Sequence, residues 1–514
     1  MRTSDVNIAC SNPASRALAL MAAGLLGASI GACTKSLDFT ECTEHSDCDR
    51  FVDEDGPLRC ESGTCVKAEC KQHSECTTLG GSQVCGIDGV CVDALSDACE
   101  FLVLPGGEVG DDLTLLGAVY DASTPVGKLA AAAFKLAVED FNSAGSLANG
   151  DKFGLVACDS AGDPNAARTN AARLVEEVGI AALLGPMDDD AFVTVAQDVV
   201  VKMGNFVFTM TPTATAPIGF EDSGVLWRAT PGAAAHAKAM LDRVHDDAVD
   251  STIMLLRGNN YGIGIYNELT EESGMDRVIP DVAVQAILSY QTVDEGRTAL
   301  TNLAMQVAEP TSIILIGGDE VGELILKTAE LGLTPKKIYT SHAGLRGIQS
   351  AIIQSGDPAL MGRIEMIAPV AEHPENAPIL YNRLLEASPG LVLGTEAPLA
   401  YDAAMTTMLA IRATPGSTLT GPTIAPQMAK LTSGMPISFG EVQELTFVRN
   451  AVALLDKGES IDVVGNSGDL RFQQESGEPC GPFYALHFSD VTNPVPVPAA
   501  TYNFACPMKT GTWQ

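Results

Sequence analysis

Leu113-Thr-Leu-Leu-Gly-Ala-Val119 is an unbroken apolar run of single-strand length. Runs of this kind belong to strands covered on both faces. Downstream, Ala130, Phe134, Ala137, Val138 and Phe141 follow the i, i+4, i+7, i+8, i+11 spacing of one helix face. Phe153-Gly-Leu-Val-Ala157 is a second apolar run. Asp163-Pro164 then opens a helix, since Asp caps free N–H groups and Pro in the first turn forfeits no hydrogen bond. Ile180-Ala-Ala-Leu-Leu184 and Phe206-Val-Phe-Thr-Met210 supply a third and a fourth strand. Strands alternating with helices require crossover connections, so the order β-α-β-α predicts a parallel sheet with helices on both faces.

The same pattern restarts after Trp227-Arg-Ala-Thr-Pro231. Thr230 and Pro231 are expected to cap a helix that runs to about His245. Thr252-Ile-Met-Leu-Leu256, the run from Val282 to Ile287, Ser312-Ile-Ile-Leu-Ile316 and Lys337-Ile-Tyr-Thr340 read as strands. Two restarts of one motif predict two similar lobes. Helices follow near Ala377 to Ala387, Leu399 to Ala413 and Glu441 to Lys457. Pro415 to Gly440 reads as a loop-bearing insertion with a short helix near Ile424 to Leu431. The tail holds short strands near Leu470 to Phe472 and Phe483 to Phe488, then a Pro-rich end.

Upstream, Arg2 and Arg16 precede an apolar run from Ala17 to Ile30, in the order of a signal peptide and too short for a comfortable membrane span. Its end, Ile30-Gly-Ala-Cys33, resembles the lipobox of bacterial lipoproteins. That resemblance implies a signal peptide over 1–32, lipid attachment at Cys33 and export to the cell envelope, on the periplasmic face or the outer membrane.

Cysteine usage agrees with export. Of the 14 Cys, nine crowd into Cys42 to Cys99, with no C-x-x-C spacing of a zinc site. Cys42-Thr-Glu-His-Ser-Asp-Cys48 repeats as Cys70-Lys-Gln-His-Ser-Glu-Cys76, and each is followed by a pair closing on Cys-Val. Units this small need disulfides to hold them, and four Cys allow three pairings each. Cys480 and Cys506 are placed to clamp the tail, which would leave Cys99 and Cys158 to pair. His45 and His73 share a repeat position and read as surface or packing residues ahead of a metal role; Asp53-Glu-Asp-Gly56 lacks the ligand spacing of a calcium loop. The repeats are similar in spacing to small EGF-like modules, and a protein partner is one use for them.

The chain has 514 residues, 46% hydrophobic and 19% charged, with 65 Asp+Glu against 31 Lys+Arg and a net charge of −34. The apolar fraction excludes global disorder. The charge excludes a nucleic-acid partner, which needs clustered Lys and Arg. No nucleophile elbow, H-E-x-x-H or phosphate loop with Lys is present, and Gly262-Ile-Gly264 is only a fragment of a dinucleotide fingerprint. No enzyme activity, metal or cofactor is expected.

From about Leu113 onward the chain resembles a type 1 periplasmic binding protein of the branched-chain amino acid class. The stretches that carry this occur in the family's order. They include Ala137-Val-Glu-Asp-Phe-Asn-Ser-Ala-Gly145, Asp159-Ser-Ala-Gly-Asp-Pro164, Leu184-Gly-Pro186, Thr211-Pro-Thr-Ala-Thr-Ala-Pro217, Asn260-Tyr-Gly262, Ile316-Gly-Gly-Asp-Glu320 and Ser467-Gly-Asp-Leu-Arg-Phe472. The resemblance implies an α/β fold: a two-lobed clam of parallel, doubly wound sheets, preceded by the disulfide-rich repeats. Its implied segments are a tether over 33–41, repeats over 42–99, lobe 1 over 113–228 plus about 369–465, and lobe 2 over 229–368 plus about 466–514. The crossovers would fall near Arg228, Pro369 and Gly465.

The implied ligand residues are Thr213 and Thr215 for a ligand carboxylate, Tyr261, and Glu320 with its neighbour Asp319 for a ligand ammonium. The family's Ser after Gly-Pro is absent, and Asp188-Asp-Asp190 stands there instead. Asp188 and Asp189 in the cleft would repel a ligand carboxylate. Three readings remain open: a cationic ligand, acids that only cap a helix, and a lost pocket. The resemblance implies capture of a small, amino-acid-like solute for an ABC permease. A sensory or surface-interaction role for the Cys-rich repeats is the alternative.

Overall fold

The structure is a computed structural model. It describes residues 41–514 apart from 44–46, 49–57, 78, 148, 205–206, 212, 216–220, 272–281, 307–308, 370–376, 417, 441–444 and 506–509. The leader, Cys33, His45 and Asp53 to Gly56 lie outside the described residues. The chain divides into two compact units, Met1–Lys67 and Ala68–Gln514, so the division falls between the two Cys-rich repeats.

In the first unit, Leu58–Glu61 pairs antiparallel with Thr64–Lys67, and disulfides join Cys42 to Cys60 and Cys48 to Cys65. The second repeat has the same connectivity, Cys70 to Cys85 and Cys76 to Cys91, around the hairpin of Gln83–Cys85 and Cys91–Asp93. Closing loops of this length is worth about 3 kcal/mol each. The grouped sulfurs are thereby spent and are not free to ligate a metal. His73 Nδ1 accepts the Cys85 N–H at 3.0 Å, so the repeated His braces its module.

The second repeat belongs structurally to the large unit. The Arg173 guanidinium donates to the carbonyls of Asp93, Ala94 and Leu95. Ser74 donates to Asp111 through its N–H and its hydroxyl.

The lobe 1 sheet has six strands, in the order Leu226–Arg228, Phe208–Thr211, Ala182–Leu184, Leu113–Tyr120, Lys152–Asp159, Cys99–Val103. All neighbours are parallel except the last pair, where Cys99 lies opposite Cys158 and is bonded to it. The lobe 2 sheet has eight strands. Ala283–Tyr290, Ser251–Arg257, Ser312–Ile316, Lys337–Ser341 and Ile364–Ala368 are parallel. Phe483–Phe488, Pro496–Ala505 and Thr510–Trp513 continue the sheet antiparallel. Each sheet is therefore mixed at one edge, where an all-parallel sheet was expected.

Lobe 1's core collects the helices Ala377–Ala387, Glu396–Ala413 and Thr446–Asp456. Leu470 and Phe472 join the same core. The third passage between the sheets therefore comes after Pro479 rather than near Gly465. Asp402 fixes the chain there, accepting from Asn466 and Ser467. Burial raises its carboxyl to a pKa of about 6. At the first passage the helix Ala233–Asp246 starts two residues later than expected, with Gly232 as cap; Thr230 is buried before it. Arg228, 2% exposed, pairs with Glu478 and lies over the Phe192 ring.

Candidate functional site

Parallel strands all end at the same edge of a sheet, so the loops that follow them form a crevice. Here the carboxyl ends of both sheets face one cavity of about 730 Å³. Lobe 1 contributes residues from Tyr120 to Pro164, Pro186 to Thr213 and Thr395 to Leu399; lobe 2 contributes Arg257 to Ile263, Gln291, Gly318, Asp319 and His342 to Arg346. Two glycines let the walls close in. A Cβ on Gly127 would stand 1.9 Å from the Asp121 carbonyl oxygen, and one on Gly262 would stand 2.1 Å from that of Arg257. In each lobe this seats the first turn of a helix on the preceding strand end.

The acidic run does three separate jobs. Asp188 caps the helix Asp189–Val195, accepting from the N–H groups of Asp190 at 2.9 Å and Ala191 at 3.0 Å. It also lines the cavity, whose walls raise its carboxyl above the ordinary Asp value, with Asp190 and Asp121 adding repulsion. Asp189 is buried and accepts the Thr215 N–H at 2.6 Å, its other oxygen facing the Thr215 hydroxyl at 3.5 Å. Asp190 reaches the other lobe and accepts the Asn260 N–H at 2.8 Å.

The remaining expected residues divide. Thr213 lines the cavity and donates to the Met187 carbonyl at 2.6 Å. Thr215 is buried and does not line it. Tyr261 lines it, with its hydroxyl beside Ser341 but in no hydrogen bond of normal geometry. Burial pushes that phenol well above its ordinary value. Glu320 is consumed by its own lobe: it accepts from Arg257 at 2.9 Å, Tyr290 at 3.0 Å and the Gly318 N–H at 3.1 Å. It does not line the cavity, whereas Asp319 does. Burial raises the Asp319 carboxyl, and the Gly347 N–H bonded to it opposes that shift.

Sequence reading passed over Arg257, His342, Arg346 and Glu396. Arg257 and His342 each stand at or just past the carboxyl end of a buried strand, which is the signal that would have found them. Arg346 and Glu396 form a two-bond ion pair, at 3.2 and 3.0 Å, between the helix Leu345–Ser355 and the helix Glu396–Ala413. No local pattern announces it. With the Asp190–Asn260 bond it gives the cavity two polar ties between lobes. His342 stacks on His236 with ring centroids 5.5 Å apart. Burial lowers their pKa values to about 4 and about 3, so both rings are neutral.

The model of the periplasmic binding protein family matches residues 116–445. A search of curated proteins returns no match. Among solved structures, the leucine-binding protein LivK of Thermotoga maritima is 18% identical with a TM-score of 0.56, covering 76% of this chain and 99% of its own. The LivJ substrate-binding protein of Streptococcus pneumoniae, solved with isoleucine, is 18% identical with a TM-score of 0.55, covering 75% and 100%. An ABC transporter solute-binding protein of Rhodopseudomonas palustris, solved with 3,4-dihydroxybenzoic acid, is 15% identical with a TM-score of 0.59, covering 78% and 100%. At these identities the structures speak for the fold. The family match spans more than half of the chain, and it agrees with two α/β lobes facing one cavity: the chain belongs to the periplasmic binding protein family, whose members bind solutes rather than transform them.

Proposed function

We propose that this protein captures a small, positively charged, amino-acid-like solute in the cleft between its lobes and presents it for ABC-type uptake. The observation that carries this is the charge of the cleft. Asp121, Asp188, Asp189, Asp190, Asp319 and Glu396 line it against Arg257 and Arg346, each of which is paired with a glutamate. Low-dielectric walls strengthen the field of such a surplus on a bound charge. Attachment through Cys33 would hold the binder at a membrane after export.

A second reading, ligand sensing or surface interaction through the Cys-rich repeats, draws on the grip of Arg173 on the second repeat. That grip joins the disulfide-bonded repeat to lobe 1. Uptake of a labelled solute in a strain lacking the protein separates the two: impaired uptake supports transport, and unchanged uptake with a lost response supports sensing.

Binding itself is tested by thermal denaturation of the oxidised protein with neutral, acidic and basic amino acids, amines and aromatic acids. A solute that binds only the folded chain adds about 2.7 kcal/mol of stability at 100 times its dissociation constant. Stabilisation by cations that disappears in an Asp188→Asn, Asp319→Asn double variant supports the reading. No stabilisation by any solute contradicts it.

A further inference from the structure

In this cleft, several of the donors on which a ligand carboxylate could rest are already occupied by the protein's own carboxylates. Carboxylates bind at free helix N-termini, at hydroxyl and amide N–H pairs, and at guanidinium groups. Asp188 takes the N-terminal N–H groups of the helix Asp189–Val195. Asp190 takes the first N–H of the helix Asn260–Glu271. Asp189 takes the Thr215 N–H and faces its hydroxyl. Glu396 holds both terminal nitrogens of Arg346, and Glu320 neutralises Arg257. Tyr261 also lines the cavity and is 9% exposed, its hydroxyl lying beside Ser341 without a hydrogen bond of normal geometry.

We propose that the cleft selects small amines that carry no carboxylate, with Asp188 and Asp319 facing the ammonium groups and the Tyr261 ring forming part of the wall. This rests on the reading of the cleft as the solute site and narrows its ligand. It sets the protein apart from relatives solved with isoleucine or 3,4-dihydroxybenzoic acid, which are both carboxylic acids.

Matched pairs test it. Cadaverine is lysine without its carboxylate, and agmatine is arginine without it. Calorimetric titration of the oxidised full chain is expected to give at least tenfold tighter binding of each amine than of its parent amino acid. Asp319→Asn, on the cavity wall, is expected to weaken the amines about tenfold. Asp189→Asn removes the internal carboxylate at Thr215 and is expected to narrow the gap between lysine and cadaverine; should it fail to fold, Asp319→Asn still carries the test. Lysine or arginine binding as tightly as its amine, or binding of leucine or benzoate alone, overturns the exclusion of carboxylates while leaving a working solute cleft. If none of these probes binds, both this inference and the solute reading fall.

Discussion

Glu365 is fully buried, yet it carries a charge in the middle of an apolar strand. Arg243, Lys337 and His487 all bond to its carboxylate and hold it well below its ordinary pKa against the opposing cost of burial. Removing one partner of a buried ion pair leaves the others uncompensated. Glu365→Ala is therefore expected to cost about 3–5 kcal/mol in denaturant unfolding, whereas a substitution at an exposed acid such as Glu330 should change little. Residue identity in the cleft was only partly legible. Asp188 as a helix cap follows from its position before a helix. Glu320 is held by Arg257 and Tyr290, which come from strands 63 and 30 residues upstream. Such long-range partners leave no trace in local spacing.

At the scale of elements, the buried strands and amphipathic helices were legible because burial on both faces and the 3.6-residue period are local properties. Ile364–Ala368 was missed because Glu365 interrupts its apolar run. Pro496–Ala505 was missed because its Pro residues argue against a strand. Pro496 and Pro498 face Phe488 and Leu486, while Thr510–Trp513 covers only Tyr502 to Ala505 on the other side. The Pro half of the strand is an edge, where no N–H is missed. The mounting of the second repeat was equally invisible, since Arg173 lies about 80 residues from the carbonyls it binds. Arg173→Ala is expected to speed hydrogen exchange across Cys70 to Asp93 while leaving exchange in Ser312–Ile316 unchanged. Uniform acceleration in both would contradict a role confined to that module.

Two sets of groups make the fold acid-sensitive, and Asp402, raised to about 6, opposes them between its ordinary value and that pH. His236 and His342 are held neutral in the fold, with pKa values of about 3 and about 4 against an ordinary 6.5. The unfolded chain takes up those protons first, so their stabilising contribution is complete above pH 6.5 and declines as pH falls below it. The contribution of Glu365 is complete above about 4.5, its ordinary value, and is lost below that. His236→Phe is expected to flatten the upper step of a stability–pH profile and to leave the lower one. The ties between lobes make a separate prediction. Glu396→Gln removes the charge that pairs with Arg346, so it should weaken solute binding about tenfold, mainly through faster dissociation in stopped-flow traces. An unchanged dissociation rate would mean that this pair does not hold the lobes together.

A small amine is expected to lie between the lobes. A crystal structure of the protein grown with the amine that stabilises it most tests this directly. Density for the amine is expected in the cavity, its ammonium groups within hydrogen-bonding distance of Asp188 and Asp319. Density for the amine only on the outer surface, with the cleft empty at a stabilising concentration, would contradict it.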